Sequence, residues 1–148
     1  MLSIPKKRKS ADKTLITDIN ISKTSNWQKI HWQALLSSYN SSPFFKYYKD
    51  QLEEFYHTNP STLFKFNLRL TKLILSFLQT EKKIHFTSEY KRKFDGLDFR
   101  NHKFKNIKMD TYDQVFSEKI EFQSDLSVVD VLFNLGPETT SYLETQRI

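Results

Sequence analysis

From residue 26 to residue 78, apolar positions recur every three to four residues, the period of an α-helix. The first run places Trp27, Ile30, His31, Ala34, Leu35 and Ser38 on one face. Trp32, Leu36 and Tyr39 form a second stripe beside it. Ser25 and Gln28 have the spacing of a capping box, which predicts a helix start there. "NSS" interrupts the pattern, and Ser42 can cap a second helix with Pro43 at its first position, where a missing N–H costs nothing. That helix presents Phe44, Tyr48, Leu52 and Phe55. After the break "HTNPS", a third helix is predicted from about Pro60 to Leu78. Leu63, Phe66, Leu70, Ile74 and Phe77 share its inner face, with Leu68 and Leu75 alongside and Lys65, Arg69 and Lys72 facing water.

Elsewhere the period changes. "LSIP" is short, apolar and ended by a proline, the pattern of a strand end. "TLITDINIS" alternates through Thr17, Ile19 and Ile21, which predicts a half-buried strand, and "KKIHFTSEY" predicts another. "KRKFDGLDFRNHKFKNIKMD" is polar and basic, as a long loop would be, and "YDQVF" fits a short strand or a turn. Ser127 and Asp130 repeat the capping-box spacing ahead of a short apolar helix, with Asp130 as the second half of the box. Gly136 can close that helix and Pro137 can open the last one. The expected fold is therefore α+β, predominantly helical with a small β-sheet, as a single domain over residues 1–148. An unpaired edge beside the N-terminal strands would be a surface through which copies of the chain associate as a homo-oligomer.

Composition narrows the chemistry. A chain of 148 residues can bury about 68–70% of its unfolded surface. Its core should be aromatic, since it holds 13 Phe, 7 Tyr and 2 Trp. There is no cysteine, which removes disulfides, thiolate zinc sites and cysteine nucleophiles and fits a reducing compartment. With Gly96 and Gly136 as its two glycines, the chain cannot form a Walker loop or a dinucleotide turn. No cofactor is expected. "MLSIPKKRKSADK" lacks the apolar stretch of a secretory signal, and "LFKFNLRLTKLILSFL" is too short and too charged for a membrane span. A soluble cytoplasmic protein is expected. Charge is uneven: residues 1–109 carry 21 basic and 9 acidic side chains, and residues 110–148 carry 2 and 8. The basic part either meets an anionic partner or is covered by the acidic part.

The candidate chemical groups are few. "PKKRK" is a short basic run without a nucleic-acid reading motif, so no nucleic-acid partner is expected. His31, His57, His85 and His102 include no pair at ligand spacing, and no metal site is expected. His31 lies one turn after Trp27, where burial disfavours the charged imidazole. It is either a neutral general base or a core histidine bonded to a backbone carbonyl. Asn67 interrupts an apolar helix face as a hydrogen-bonding staple or a ligand contact. Asp98 and Arg100 flank Phe99 and either pair with each other or leave Arg100 to hold an anion. Gln114 has no local structural assignment and could orient a polar substrate.

The segments "IPKK", "ITDINIS", "NWQKIHWQALLSSYNSSPFFKYYKDQL", "FKFNLRLTKLIL", "LDFR", "YDQVF" and "LSVVDVLFNLGPETTSYL" follow one another in this order. Their succession closely resembles the WbqC-like protein family from residue 1 to about residue 143. The matching motif positions are Trp27, His31, Tyr39, Pro43, Asn67, Asp98, Arg100, Tyr112, Gln114, Ser127, Asp130, Asn134, Gly136 and Pro137. The resemblance implies a bacterial cytoplasmic protein of O-antigen or other surface-polysaccharide synthesis, possessing a sugar-linked small-molecule substrate. It permits a transferase that modifies a sugar with an acyl or aminoacyl group. In that scheme His31 is the base, Arg100 holds a phosphate or carboxylate of the donor, and Gln114 and Asn134 orient the acceptor. Asp98, Asn67 and Tyr112 complete the substrate-binding set. Family members usually begin with a further proline- and aromatic-rich segment, so the chain is expected to be an N-terminally shortened member, and the alternatives are a non-catalytic binding or assembly module with a basic face or an inactive shortened family member.

Overall fold

The structure is a computed structural model that describes residues 2–7, 14–100, 109–124 and 126–146. Among these residues lie five α-helices: α1 (Trp27–Tyr39), α2 (Phe45–His57), α3 (Leu63–Phe77), α4 (Val128–Leu135) and α5 (Thr139–Thr145). Short 3-10 turns cover Ile16–Asp18 and Gly136–Glu138. No helix is long and apolar enough to cross a membrane among the described residues.

The three predicted central helices form, with shifted starts. Neither serine-led capping box is built. Asn26, not Ser25, precedes α1, and the Gln28 amide instead donates to the carbonyls of Tyr56 and Thr58 at the end of α2. Those carbonyls lack partners within their own helix, so the long-range bond replaces the local cap. The second helix begins at Phe45, after a turn through Ser42 and Pro43. α3 starts at Leu63 because Thr62 is extended and its hydroxyl accepts from the Lys65 N–H. At its far end Gln79 takes a left-handed φ of 51°, with Gln79 N–H to Ser76 O and Thr80 N–H to Leu75 O both at 3.1 Å. This is a Schellman closure with glutamine where glycine is usual.

The expected β-sheet does not form. In its place residues 19–22 make one antiparallel bridge on each side, Lys6 with Ile21 and Asn20 with Thr62. Four bonds hold them: Lys7 N–H to Asn20 O, Ser22 N–H to Pro5 O, Ile21 N–H to Ser61 O and Leu63 N–H to Ile19 O. Each pairing is too short for a ladder, and the 3-10 turn at Ile16–Asp18 cuts the alternating run that predicted a strand. The partner is residues 61–62, not "KKIHF", which has no strand pairing. With no sheet among the described residues, the sheet edge expected to join copies of the chain is also missing.

One core joins helices from both halves of the chain. Trp27, Trp32, Phe45, Leu52, Phe55, Tyr56 and Phe66 pack with Ile21, Leu132 and Phe133. Phe133 is fully buried, with ring centroids 5.0 Å from both Tyr39 and Phe45. The Trp32 indole N–H donates to Glu53 Oε1 at 3.1 Å, which satisfies a buried donor. Gly136 ends α4 at φ 55°, as the sequence predicts, and a Cβ there would lie 2.3 Å from the Phe44 ring. Pro137 falls in the following 3-10 turn, one turn before α5.

Candidate functional site

α4 carries a buried carboxylate. Ser127 is its extended N-cap residue but makes no side-chain cap bond, and Asp130 does not complete a box. The Asp130 side chain, 5% exposed, turns toward the stretch that precedes the helix. There Tyr112 donates its phenol to Asp130 Oδ2 at 2.6 Å, and Gln114 Nε2 donates to the same oxygen at 3.2 Å. In the first turn of α4 the carboxylate also faces the positive end of the helix dipole. Asn134, one turn later, is buried and returns its amide to the Asp130 carbonyl at 2.8 Å.

Gln114 is held at both ends of its amide. Nε2 donates to the Gln123 carbonyl and Oε1 accepts from the Gln123 N–H, each at 3.0 Å. The side chain thereby closes the 114–123 loop as a backbone pair would. Gln114 Nε2 also reaches the Tyr112 hydroxyl at 3.2 Å. Tyr142 stacks edgewise on Tyr112 at 5.4 Å and donates to the Asp110 carbonyl at 2.6 Å. Apart from the Gln114–Tyr112 contact, these bonds join residues nine or more positions apart, so they are not readable from local spacing.

Two hollows meet at this network. One, about 200 Å³, is walled by Tyr39, Gln114, Phe116, Ile120, Leu126 and Asp130. The other, about 750 Å³ and open, is bordered by Tyr112, Asp113, Gln114, Asn134, Glu138 and Tyr142. Gln114 borders both. The smaller hollow lies below the roughly 300–1,000 Å³ of drug-sized pockets, a size for one ring or a short substituent.

Both tyrosines remain protonated donors at neutral pH. Burial, then the Asp130 charge and its hydrogen bonding, push Tyr39 up to about 12. Burial and the bond to Asp130 raise Tyr112 as well, against a smaller lowering by Gln114. The arrangement is thus a carboxylate acceptor set between phenol and amide donors, beside apolar Phe116, Ile120 and Leu126.

The structure separates the residues predicted for a site. Tyr112 and Gln114 come together on Asp130, with Asn134 one turn along. His31 is elsewhere: 8% exposed, its Nε2 lies 3.2 Å from the Ser3 carbonyl, with Trp27 and Tyr56 rings at 5.2 and 6.2 Å. Asp98 and Arg100 form a third place. The guanidinium spans both Asp98 oxygens, with Nε at 2.8 and 3.0 Å, and Nη1 donates to the Lys91 carbonyl at 2.7 Å. Asp98 is lowered to about 2, chiefly by the Arg100 hydrogen bonds. Asn67 is exposed, not buried, because one step beyond Phe66 turns it about 100° from the inner face. Tyr142 and Gln123 were not singled out by sequence, and no local pattern marks them. Arg8, Lys9, His102 and residues 101–108 of the predicted loop lie outside the described residues. Among the described residues no cluster of three His, Asp or Glu could hold a metal ion.

No curated protein sequence and no solved structure matches the chain. The model of the WbqC-like protein family matches residues 1–101, which include α1, α2, α3 and the Asp98–Arg100 pair, while the Asp130 network lies beyond it. That match covers more than half of the sequence, and the chain therefore belongs to the WbqC-like protein family.

Proposed function

We propose that this protein acts in bacterial O-antigen or other surface-polysaccharide synthesis, as a transferase that places an acyl or aminoacyl group on a sugar. Family membership supports the pathway. The observation that carries the site is the buried Asp130 carboxylate, bonded by Tyr112 and Gln114 at the junction of two hollows. In this reading Asp130 accepts the proton of a sugar hydroxyl while that oxygen attacks the carbonyl carbon of an activated ester. The ester C–O bond breaks, and the proton passes to the departing alcohol. Tyr112 holds the carboxylate in place, and Gln114 orients the acceptor. Asp113 and Glu138, beside the open hollow, suit the ammonium of an aminoacyl donor. Asp130 carries the base role that sequence assigned to His31, whose bond to Ser3 and ring neighbours suit a structural part.

The test is genetic and chemical. In the source bacterium, loss of the gene should remove one substituent from the surface polysaccharide by mass spectrometry. The wild-type gene should restore it, Asp130→Asn should not, and His31→Gln should restore it with a less stable protein. An unchanged polysaccharide on deletion defeats the pathway reading. Full restoration by Asp130→Asn defeats the site assignment.

A further inference from the structure

The net charge of the chain is +6. Residues 82–100 carry six basic and three acidic side chains, a balance of +3 and half of that net charge. The same stretch is rich in apolar side chains directed to solvent. Leu97 is 83% exposed, Tyr90 77% and Phe86 60%, and Phe94 and Phe99 are more than half exposed. Residues 78–100 themselves form no helix or strand.

The exposed rings do not hang from a loose chain. Phe86 packs on Phe64 of α3 with ring centroids 5.7 Å apart. The Arg100 clamp on Asp98 and the Lys91 carbonyl closes residues 91–100 into a loop, and its guanidinium lies 5.6 Å from the Tyr90 ring centroid. Gly96 lets the Phe94 ring fold over it, since a Cβ there would come within 2.8 Å of that ring. Lys91, Arg92 and Lys93 stand on this loop between the aromatic positions.

We propose that residues 82–100 are a docking surface for an anionic lipid bilayer. Aromatic rings and a leucine settle at the headgroup–acyl boundary, while lysine and arginine remain among anionic headgroups. Each cation near such a surface adds to binding, and the contribution fades within a Debye length. An acidic protein would satisfy the cations but leave Leu97 and the rings uncovered. Single-stranded nucleic acid would stack on the rings but gives Leu97 no partner. The lipid surface accommodates all three features and needs no groove.

The experiment is sedimentation of the full chain with vesicles. Binding is expected to an equal mixture of phosphatidylcholine and phosphatidylglycerol, and not to phosphatidylcholine alone. Raising salt should weaken it. Lys91→Gln, Arg92→Gln and Lys93→Gln together should cost about 100-fold in affinity, at about fivefold per cation removed. Phe94→Ser with Leu97→Ser should also release the protein, while its far-ultraviolet circular dichroism and melting transition stay unchanged, because both positions lie outside the core. Equal binding to both vesicle types overturns the proposal. So does retention by the triple variant, or tighter binding to poly(U) than to the anionic vesicles.

Discussion

The phenol oxygen of Tyr112 stands 2.6 Å from Asp130 Oδ2, a bond that ties the stretch before α4 to the first turn of that helix. Because the acceptor is a buried carboxylate, the bond belongs to the stronger class. Tyr112→Phe should cost about 1.5–3 kcal/mol, the range for hydrogen bonds to charged groups. Urea unfolding measures it. A change within a few tenths of a kcal/mol would mean that Gln114 alone satisfies the carboxylate.

Tyr39 reports on the same charge. Its ionisation is pushed up to about 12 by burial first and Asp130 second. The raised value means that folding favours the neutral phenol. Its contribution to stability is complete below the unfolded value near 10 and disappears as pH climbs through about 12. Ultraviolet titration of tyrosine should place one group near that upper value. Asp130→Asn should bring it down part of the way, the remainder being due to burial. An unmoved titration would show that the two groups do not interact.

Gly136 faces two constraints at once. Its φ of 55° with ψ −123° is a backbone region that suits glycine, and the Phe44 ring occupies the space of a Cβ. Gly136→Ala should therefore cost about 1–3 kcal/mol in backbone strain, and a similar amount in overpacking. Calorimetry should show a large fall in Tm. Adding Phe44→Ala frees the space but not the backbone, so only part of the loss from Gly136→Ala should persist in the Phe44→Ala background. Loss that is wholly absent in that background would refute the backbone half of the argument.

Gln79 is the reverse case. It closes α3 from a left-handed φ of 51° without steric need for a side chain. Gln79→Gly removes the left-handed penalty and adds unfolded-state entropy, for a net gain of about 0.5–1 kcal/mol. Chemical denaturation should show a higher midpoint at unchanged slope. A lower midpoint would mean that the glutamine side chain contributes to the cap.

Much of the helical body was legible because its signals are local. Phe66, Leu70 and Phe77 keep one face over about three turns, and that period survives any shift of the first residue. Boundaries moved where a better partner lay nearby, as Thr62 did for α3, or far off, as the α2 carbonyls did for Gln28. The sheet was misread because alternation at Thr17, Ile19 and Ile21 specifies a strand only if a partner of similar length exists. Ile21 finds two neighbours of one or two residues each. The site was half legible. Gln114 stood out as an amide without a local task, and Tyr112 entered only through the family resemblance. Asp130 was hidden by a spacing that already explained it, and its partner lies 18 residues earlier in the chain. Asn67 misled because helical proximity to apolar residues is not the same as sharing their direction.

The amide of Gln114 has both its oxygen and its nitrogen committed, to the Gln123 backbone on one side and to the Tyr112–Asp130 pair on the other. It therefore works as a shared hinge pin between neighbouring chambers. Because the same amide lines both, any substitution at Gln114 alters the walls of the two chambers at once.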